Sequence, residues 1–159
     1  MTISVGDRLP QTTLVKVTEA GPDQVNSADC FAGKTVALFA VPGAYTPTCS
    51  ARHLPGFVEK ADALRAKGVD EIACTAVNDA FVLGAWAKAN EATGLTMLAD
   101  GNGDFARALG LTMDGSKFGL GERSQRYVML VEDGVVKQLH VEQPGEFKVS
   151  SADCLLEQL

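Results

Sequence analysis

A continuous apolar run over residues 36–41 is the feature that most constrains the fold of this chain. The run is too short to cross a membrane, and a short apolar run that ends at turn residues is typical of a strand buried on both faces. Pro42 and Gly43 end this strand, and Pro47 disfavours helical geometry at the residue before it. Helical spacing begins at Cys49. The pattern therefore predicts a central strand, a short loop and a helix that opens with a cysteine.

The predicted position of Cys49 favours an ionised thiol. The free N–H groups and the positive end of a helix N-terminus stabilise an anion, so a thiol there loses its proton more readily. In open α/β sheets, ligands also bind in the crevice beyond the carboxyl ends of the strands. A free cysteine is often only a small buried hydrophobe, but Thr48 and Ser50 give Cys49 polar flanks. We interpret Cys49 as a reactive thiol.

Composition excludes several classes of protein. A length of 159 residues with 46% hydrophobic residues suits a single domain over residues 1–159. The net charge of −6 argues against nucleic acid or an anionic membrane as a partner. Asp7 and Arg8 interrupt any apolar run near the start, so we expect no signal peptide, and no stretch is long enough for a transmembrane helix.

The cysteines indicate a reducing compartment. The four cysteines show no close pairing, which favours reduced thiols in a cytoplasmic protein. There is no C-x-x-C motif, and the two histidines, His53 and His140, are too few for a typical zinc site. We therefore expect neither a metal nor a cofactor.

The remaining sequence predicts strands and helices in alternation. The predicted strands cover residues 12–17, 36–41, 71–77, 95–98, 126–132 and 135–141. The predicted helices cover residues 27–33 (a single turn), 49–67, 80–89, 104–109 and 151–159. Residues 21–23 are expected to form a turn, Pro55 is expected to kink or break the long helix near Leu54, and Asp133-Gly134 is a strong hairpin signal.

This succession predicts an α/β protein with a central mixed β-sheet flanked by helices on both faces. A cysteine that follows a central strand and opens a helix is the arrangement of the thioredoxin fold. Thr46, however, stands where a C-x-x-C motif has its first cysteine. The chain therefore cannot run dithiol exchange within this motif, and its chemistry must use a single attacking thiolate.

Residues 42–50, with the sequence PGAYTPTCS, resemble the PGAFTPTCS signature of peroxiredoxins of the type-five (plant type II) subfamily. The only clear departure within the signature is Tyr45 in place of the usual phenylalanine. The resemblance extends over almost the whole chain, including residues 56–57, 67–72, 77–79, 85–86, 98–102, 121–127 and 132–134. A lone T-x-x-C would be weak evidence, but a nine-residue signature that differs only at Tyr45, together with a distant arginine, is specific.

The resemblance implies a thiol-dependent peroxidase that reduces hydrogen peroxide and organic hydroperoxides. Cys49 matches the peroxidatic cysteine, whose thiolate attacks a peroxide oxygen and becomes a sulfenic acid. Thr46 is expected to hydrogen-bond the thiolate and the peroxide, and Pro42 to shield the pocket from water. Arg126 matches the arginine that keeps the sulfur anionic and polarises the O–O bond. Arg123 better fits a surface salt bridge.

The sequence leaves open how the sulfenic acid is reduced. Some members of the subfamily carry a second cysteine 25 positions beyond the peroxidatic one, and Cys74 has that spacing, although core packing in a strand explains it equally well. Cys30 is interpreted as filler, and Cys154 as a packing residue on the buried side of the last helix. We expect glutathione or glutaredoxin to reduce Cys49 through a mixed disulfide, because a strand cysteine cannot move far to form a disulfide. Thioredoxin is a further candidate reductant.

Three other functions are compatible with a reactive thiol. A cysteine hydrolase needs a histidine base; His53 lies one turn after Cys49, but a solvated position on the helix face explains it better. A non-enzymatic redox sensor would share the low-pKa thiol, and a holdase-like interaction protein would not need it. All three rank below the peroxidase. The resemblance also suggests a homodimer that packs beside the active site, with a contribution from residues 118–120.

Overall fold

The structure is a computed structural model that describes residues 2–48 and 52–159. Nine strands are present in this part of the chain: β1 (Thr13–Thr18), β2 (Gly21–Asn26), β3 (Thr35–Ala40), β4 (Glu71–Ala76), β5 (Thr96–Ala99), β6 (Thr112–Asp114), β7 (Glu122–Ser124), β8 (Tyr127–Glu132) and β9 (Val135–Val141). Seven of them form one sheet in the order β2-β1-β5-β4-β3-β8-β9, and β6 pairs with β7 in a separate ribbon. Strands β3, β4 and β5 are parallel neighbours, whereas β8 is antiparallel to β3. The predicted mixed sheet is therefore confirmed.

Helices cover both faces of this sheet. The described helices are α1 (Ser27–Phe31), α2 (Leu54–Glu59), α3 (Ala61–Ala66), α4 (Ala80–Ala89), α5 (Asp104–Leu109) and α6 (Ala152–Glu157), with a 3₁₀ turn over Ser116–Phe118. Helices α2, α3, α4 and α6 contribute to one apolar cluster, and α1 and α5 contribute to the other. Within the described residues, no helix combines the length and the apolarity needed to span a bilayer.

Strand β3 supplies side chains to both clusters, as its unbroken apolar sequence predicts. Ala37 and Phe39 enter the first cluster, while Val36 and Leu38 enter the second. All four side chains are buried because β3 lies between β4 and β8 in the middle of the sheet. The loop that follows β3 is consequently attached to the least mobile part of the fold.

The hairpin of β8 and β9 follows its turn signal. Asp133 and Gly134 both have positive φ angles, 47° and 78°, which a two-residue turn of this twist requires. Ala40 pairs with Tyr127 in the antiparallel register of β3 and β8. Arg126, the residue before Tyr127, therefore lies at the same end of the sheet as the end of β3.

Two local predictions differ from the structure. Residues 21–23 are not a turn but the start of β2; the turn lies at Glu19 and Ala20, because Thr18 pairs with Gly21 and donates its hydroxyl to the Gly21 carbonyl at 2.6 Å. The short β6–β7 ribbon was not predicted, since three-residue strands carry too little periodicity to be recognised.

The long helix is divided at two places. Pro47 and Thr48 are already helical, and Arg52 and His53 have π-helical geometry directly before α2, where Pro55 occupies the first turn. The geometry therefore changes from π-helical to α-helical at Leu54, where a kink or a break was predicted. A second interruption at Lys60 separates α2 from α3.

Candidate active site

The loop after β3 folds back on itself at Gly43 and Thr46. The Thr46 N–H and hydroxyl both donate to the Gly43 carbonyl, at 3.3 and 2.7 Å. Between them, Tyr45 has a φ of 66°, a left-handed conformation that a bulky residue seldom adopts. A Cβ atom on Gly43 would lie 3.2 Å from both Arg123 Nη1 and Thr46 Cγ2, so any larger residue here would require both side chains to shift. This loop is therefore held in one specific geometry.

Thr46 has one hydroxyl proton, which it donates to the Gly43 carbonyl. The hydroxyl oxygen keeps two lone pairs that can accept hydrogen bonds. In this geometry the hydroxyl can accept a hydrogen bond from a ligand, and its hydrogen bonds to the Cys49 thiolate and the peroxide stay predictions. Pro42 is half-buried at the end of β3 and begins the same loop.

Cys49 lies outside the described residues, together with Ser50 and Ala51. Its role as the reactive thiol stays a prediction. The described neighbours on either side, Thr48 and Arg52, both have helical geometry. Arg52 and His53 form a π-helical turn, and such turns are frequent at functional sites.

Arg126 reaches the helical segment that follows Cys49. Its Nη1 atom lies 2.9 Å from His53 Nδ1, and His53 Nε2 lies 2.9 Å from the Ser150 carbonyl oxygen. A guanidinium has only donors, so Nδ1 must accept and Nε2 must carry the ring proton. The contact brings Arg126, from the start of β8, to the π-helical turn at Arg52 and His53.

His53 is buried, so its predicted solvated position on the helix face is wrong. Its ring packs among three phenylalanine rings, with centroid distances of 5.0 Å to Phe39, 5.6 Å to Phe57 and 5.1 Å to Phe147. Burial lowers the pKa of His53 from 6.5 to about 3, and the positive charge of Arg126 acts in the same direction. The imidazole is therefore neutral at physiological pH and is already hydrogen-bonded at both nitrogens. This arrangement does not favour a hydrolase base.

The pKa of His53 predicts a specific pH dependence of stability. The unfolded chain binds a proton on this histidine near its ordinary pKa, whereas the folded chain does so only near pH 3. The His53 contribution is complete above about pH 6.5 and falls by about 1.4 kcal/mol per pH unit as the pH decreases toward 3.

Urea unfolding through this pH range measures the effect, with His53→Asn as the non-titrating control. We expect the stability of the wild-type protein to fall relative to that of His53→Asn as the pH decreases. A stability difference that does not change with pH would contradict the assignment of a buried neutral imidazole.

Two further residues lie against the loop after β3, and sequence reasoning did not assign them this place. Asn78 Oδ1 accepts the Ala44 N–H at 2.9 Å. Arg123 donates to the carbonyl oxygens of Leu120 and Val77, at 2.9 and 3.1 Å, so its interpretation as a surface salt bridge is wrong. The only indication of this placement in the sequence was that Asn78 and Arg123 lie within the family-like stretches at residues 77–79 and 121–127.

The described cysteines occupy three different environments. Cys74 is fully buried in β4, where it pairs with Phe39 on one side and Met97 on the other. Cys30 is half-buried, and burial raises the pKa of its thiol. Cys154 is not on the buried side of α6, as was predicted; it is half-exposed and donates to the Lys148 carbonyl at 2.9 Å. The buried positions of α6 are Ala152 and Leu155.

The described part of the chain contains no group of three or more histidine, cysteine, aspartate or glutamate side chains arranged to hold a metal ion. The contacts described above define the candidate site as the loop over residues 42–48, the helical turn at Arg52 and His53, and Arg126.

The fold and this site define a thioredoxin-like protein with a single-thiol motif. Accordingly, the family model described as Redoxin matches residues 4–156. Peroxiredoxin-2E-2, chloroplastic, from Oryza sativa subsp. japonica is 52% identical over 99% of this chain and 73% of that protein. Peroxiredoxin-2B from Arabidopsis thaliana is 48% identical over 99% of this chain and 98% of that protein.

A solved structure gives the same result. The crystal structure of reduced Prx3 from Vibrio vulnificus in complex with hydrogen peroxide superposes with a TM-score of 0.96, at 52% identity, and covers 99% of both chains. The chain belongs to the peroxiredoxins of the type II (type-five-like) group. It is a thiol peroxidase that uses a peroxide as oxidant and a thiol as reductant.

Proposed function

We propose that this chain reduces hydrogen peroxide and organic hydroperoxides through Cys49, with Thr46, Pro42 and Arg126 as the other site residues. The observation that carries the proposal is the 2.9 Å contact between Arg126 and His53, because it brings a guanidinium to the helical segment that follows Cys49. The Vibrio vulnificus protein was solved in complex with hydrogen peroxide, and this supports hydrogen peroxide as a substrate of this chain.

In the first half of the cycle, the Cys49 thiolate attacks one peroxide oxygen. An S–O bond forms and the O–O bond breaks, so Cys49 is oxidised to a sulfenic acid, and the departing hydroxide or alkoxide takes up a proton. Negative charge spreads from sulfur to the departing oxygen in the transition state. Donors that are already aimed at that charge lower the barrier, and Arg126 supplies them. Thr46 orients the peroxide by accepting its O–H.

In the second half, a glutathione thiol attacks the sulfenic sulfur, water leaves, and a mixed disulfide forms on Cys49. A second thiol, from glutathione or glutaredoxin, then reduces the mixed disulfide and regenerates Cys49. The burial of Cys74 between two paired strands supports this external route. A Cys49–Cys74 disulfide needs Cα atoms within about 7 Å, and Cys74 cannot move toward Cys49 without breaking the pairing of β4 with β3 and β5.

Peroxide consumption by the pure protein tests this proposal, with glutathione, glutaredoxin plus glutathione, and thioredoxin supplied separately. We expect sustained turnover with the first two, and we expect Cys74→Ser to retain most of it. Loss of turnover in Cys74→Ser, together with a Cys49–Cys74 bond found by mass spectrometry, would establish Cys74 as the resolving cysteine instead.

Exposed aromatic side chains on the surface of the chain support a homodimer. Tyr45 and Phe118 are 56% and 79% exposed, and Phe81 is 75% exposed at the start of α4. Large exposed apolar groups of this kind are typical of interaction surfaces. A second copy of the chain would cover the edge of the active site around residues 118–120, and sedimentation velocity measures whether this dimer forms.

The cysteines also support a reducing compartment, and we propose the cytoplasm. Cys30, Cys74 and Cys154 are free thiols in the described structure. Cell fractionation with an antibody to the chain tests this location.

A further inference from the structure

Glu142, the residue directly after β9, is a buried carboxylate that accepts hydrogen bonds from residues 148–150 of the segment that follows it. Its two oxygens accept the N–H groups of Lys148, Val149 and Ser150 and the Ser150 hydroxyl, at distances of 2.7 to 2.8 Å. Only 6% of the residue is exposed. Burial alone would raise the pKa of Glu142, but the hydrogen bonds from Lys148 and Ser150 lower it below its usual value. The group is therefore an anion that fixes residues 148–150.

Two routes lead from Glu142 to Arg126. In the first, the Glu142 N–H donates to the Arg126 carbonyl at 2.9 Å, which continues the ladder between β8 and β9. In the second, the fixed Ser150 presents its carbonyl to His53 Nε2, and His53 Nδ1 accepts from Arg126 Nη1. The backbone and the guanidinium of Arg126 are thus both positioned relative to one residue.

We infer that Glu142 is a positioning residue for Arg126, and that it acts through Ser150 and the tautomer of His53. This inference rests on the proposed role of Arg126 in peroxide reduction. If the carboxylate is lost, the Ser150 carbonyl is no longer directed at His53. The imidazole is then free to place its proton on Nδ1, where it repels the guanidinium instead of accepting from it.

Glu142→Gln is the appropriate substitution, because it keeps the size of the side chain and replaces one acceptor oxygen by an NH₂ group facing backbone N–H donors. We expect the rate constant for peroxide attack to fall by about 10- to 100-fold, as small displacements of a catalytic group do. We also expect the pKa of Cys49, followed by the ultraviolet absorbance of its thiolate, to rise. Ser150→Ala removes one of the hydrogen bonds and should change both quantities in the same direction but less, which keeps the test available if Glu142→Gln folds poorly.

Asp100→Asn is the matched control. Asp100 is also a buried carboxylate, 4% exposed, and it accepts two backbone N–H groups, from Phe105 and Ala106 at 3.0 and 2.9 Å. Within residues 2–48 and 52–159, no chain of hydrogen bonds of this kind connects it to His53. We expect this variant to lose stability while the Cys49 pKa and the rate of peroxide attack stay near their wild-type values.

A double-mutant cycle separates this relay from a general loss of structure. If Glu142 acts through His53, Glu142→Gln should have little additional effect in a His53→Leu background. If the effects of Glu142→Gln and His53→Leu on the rate of peroxide attack are fully additive, Glu142 does not act through His53. Arg126→Ala, measured in parallel, distinguishes a failure of this inference from a failure of the proposed function. If Arg126→Ala slows the reaction while Glu142→Gln and Ser150→Ala change neither the rate of peroxide attack nor the pKa of Cys49, this inference is wrong and the proposed function stands. If Arg126→Ala itself has no effect, the proposed role of Arg126 fails and the inference fails with it.

Discussion

Replacing Arg126 with alanine should slow peroxide attack by a factor on the order of 100, comparable to the loss of a donor that stabilises transition-state charge. The guanidinium stabilises the Cys49 thiolate before attack and the departing oxygen during it. The pKa of Cys49 should therefore rise in the variant. Stopped-flow measurement of the peroxide reaction, together with a pH titration of the thiolate, gives both quantities.

Arg52→Ala is the control for this prediction. Arg52 also carries a positive charge at this site, with its Cζ atom 4.7 Å from the centre of the Phe147 ring, against 5.9 Å for Arg126. Its side chain is exposed, whereas Arg126 Nη1 is fixed by His53. We expect Arg52→Ala to have a much smaller effect. Equal effects of the two substitutions would mean that only the net positive charge matters.

Replacing Cys49 with serine should abolish turnover with every reductant. A serine hydroxyl remains protonated at neutral pH, whereas a thiol at a helix N-terminus ionises readily and is a strong nucleophile. The other three cysteines provide matched substitutions of the same chemistry. We expect Cys30→Ser, Cys74→Ser and Cys154→Ser each to retain most of the activity with glutathione and glutaredoxin.

Much of the fold could be predicted because local and long-range preferences agree. The apolar sequence of β3 needs burial on both faces, and only a central position in a sheet provides it. Asp133-Gly134 adopts the positive φ angles that its hairpin requires, and the antiparallel pairing of β8 with β3 brings Arg126 to the end of β3. The relation between Arg126 and the loop after β3 therefore follows from strand order.

The surroundings of Arg126 could not be predicted in the same way. His53 is buried because Phe147 and Ser150 cover it, and Ser150 is 97 positions away in the sequence. The irregular segment after β9 carries no periodic pattern that would indicate this contact. Cys154 was placed on the wrong side of α6 because the helix is short and its orientation is set by Ala152 and Leu155. In both cases tertiary packing decided the environment of the side chain.

The central claim is that Cys49 is the residue that peroxide oxidises. The most direct measurement treats the reduced protein with one equivalent of hydrogen peroxide in the presence of a sulfenic acid trap, and then maps the adduct by peptide mass spectrometry. We expect a single major adduct on the peptide that contains Cys49, and a glutathione adduct on the same residue when excess glutathione replaces the trap. An adduct on Cys74 or Cys154, with Cys49 recovered as the unmodified thiol, would contradict this claim.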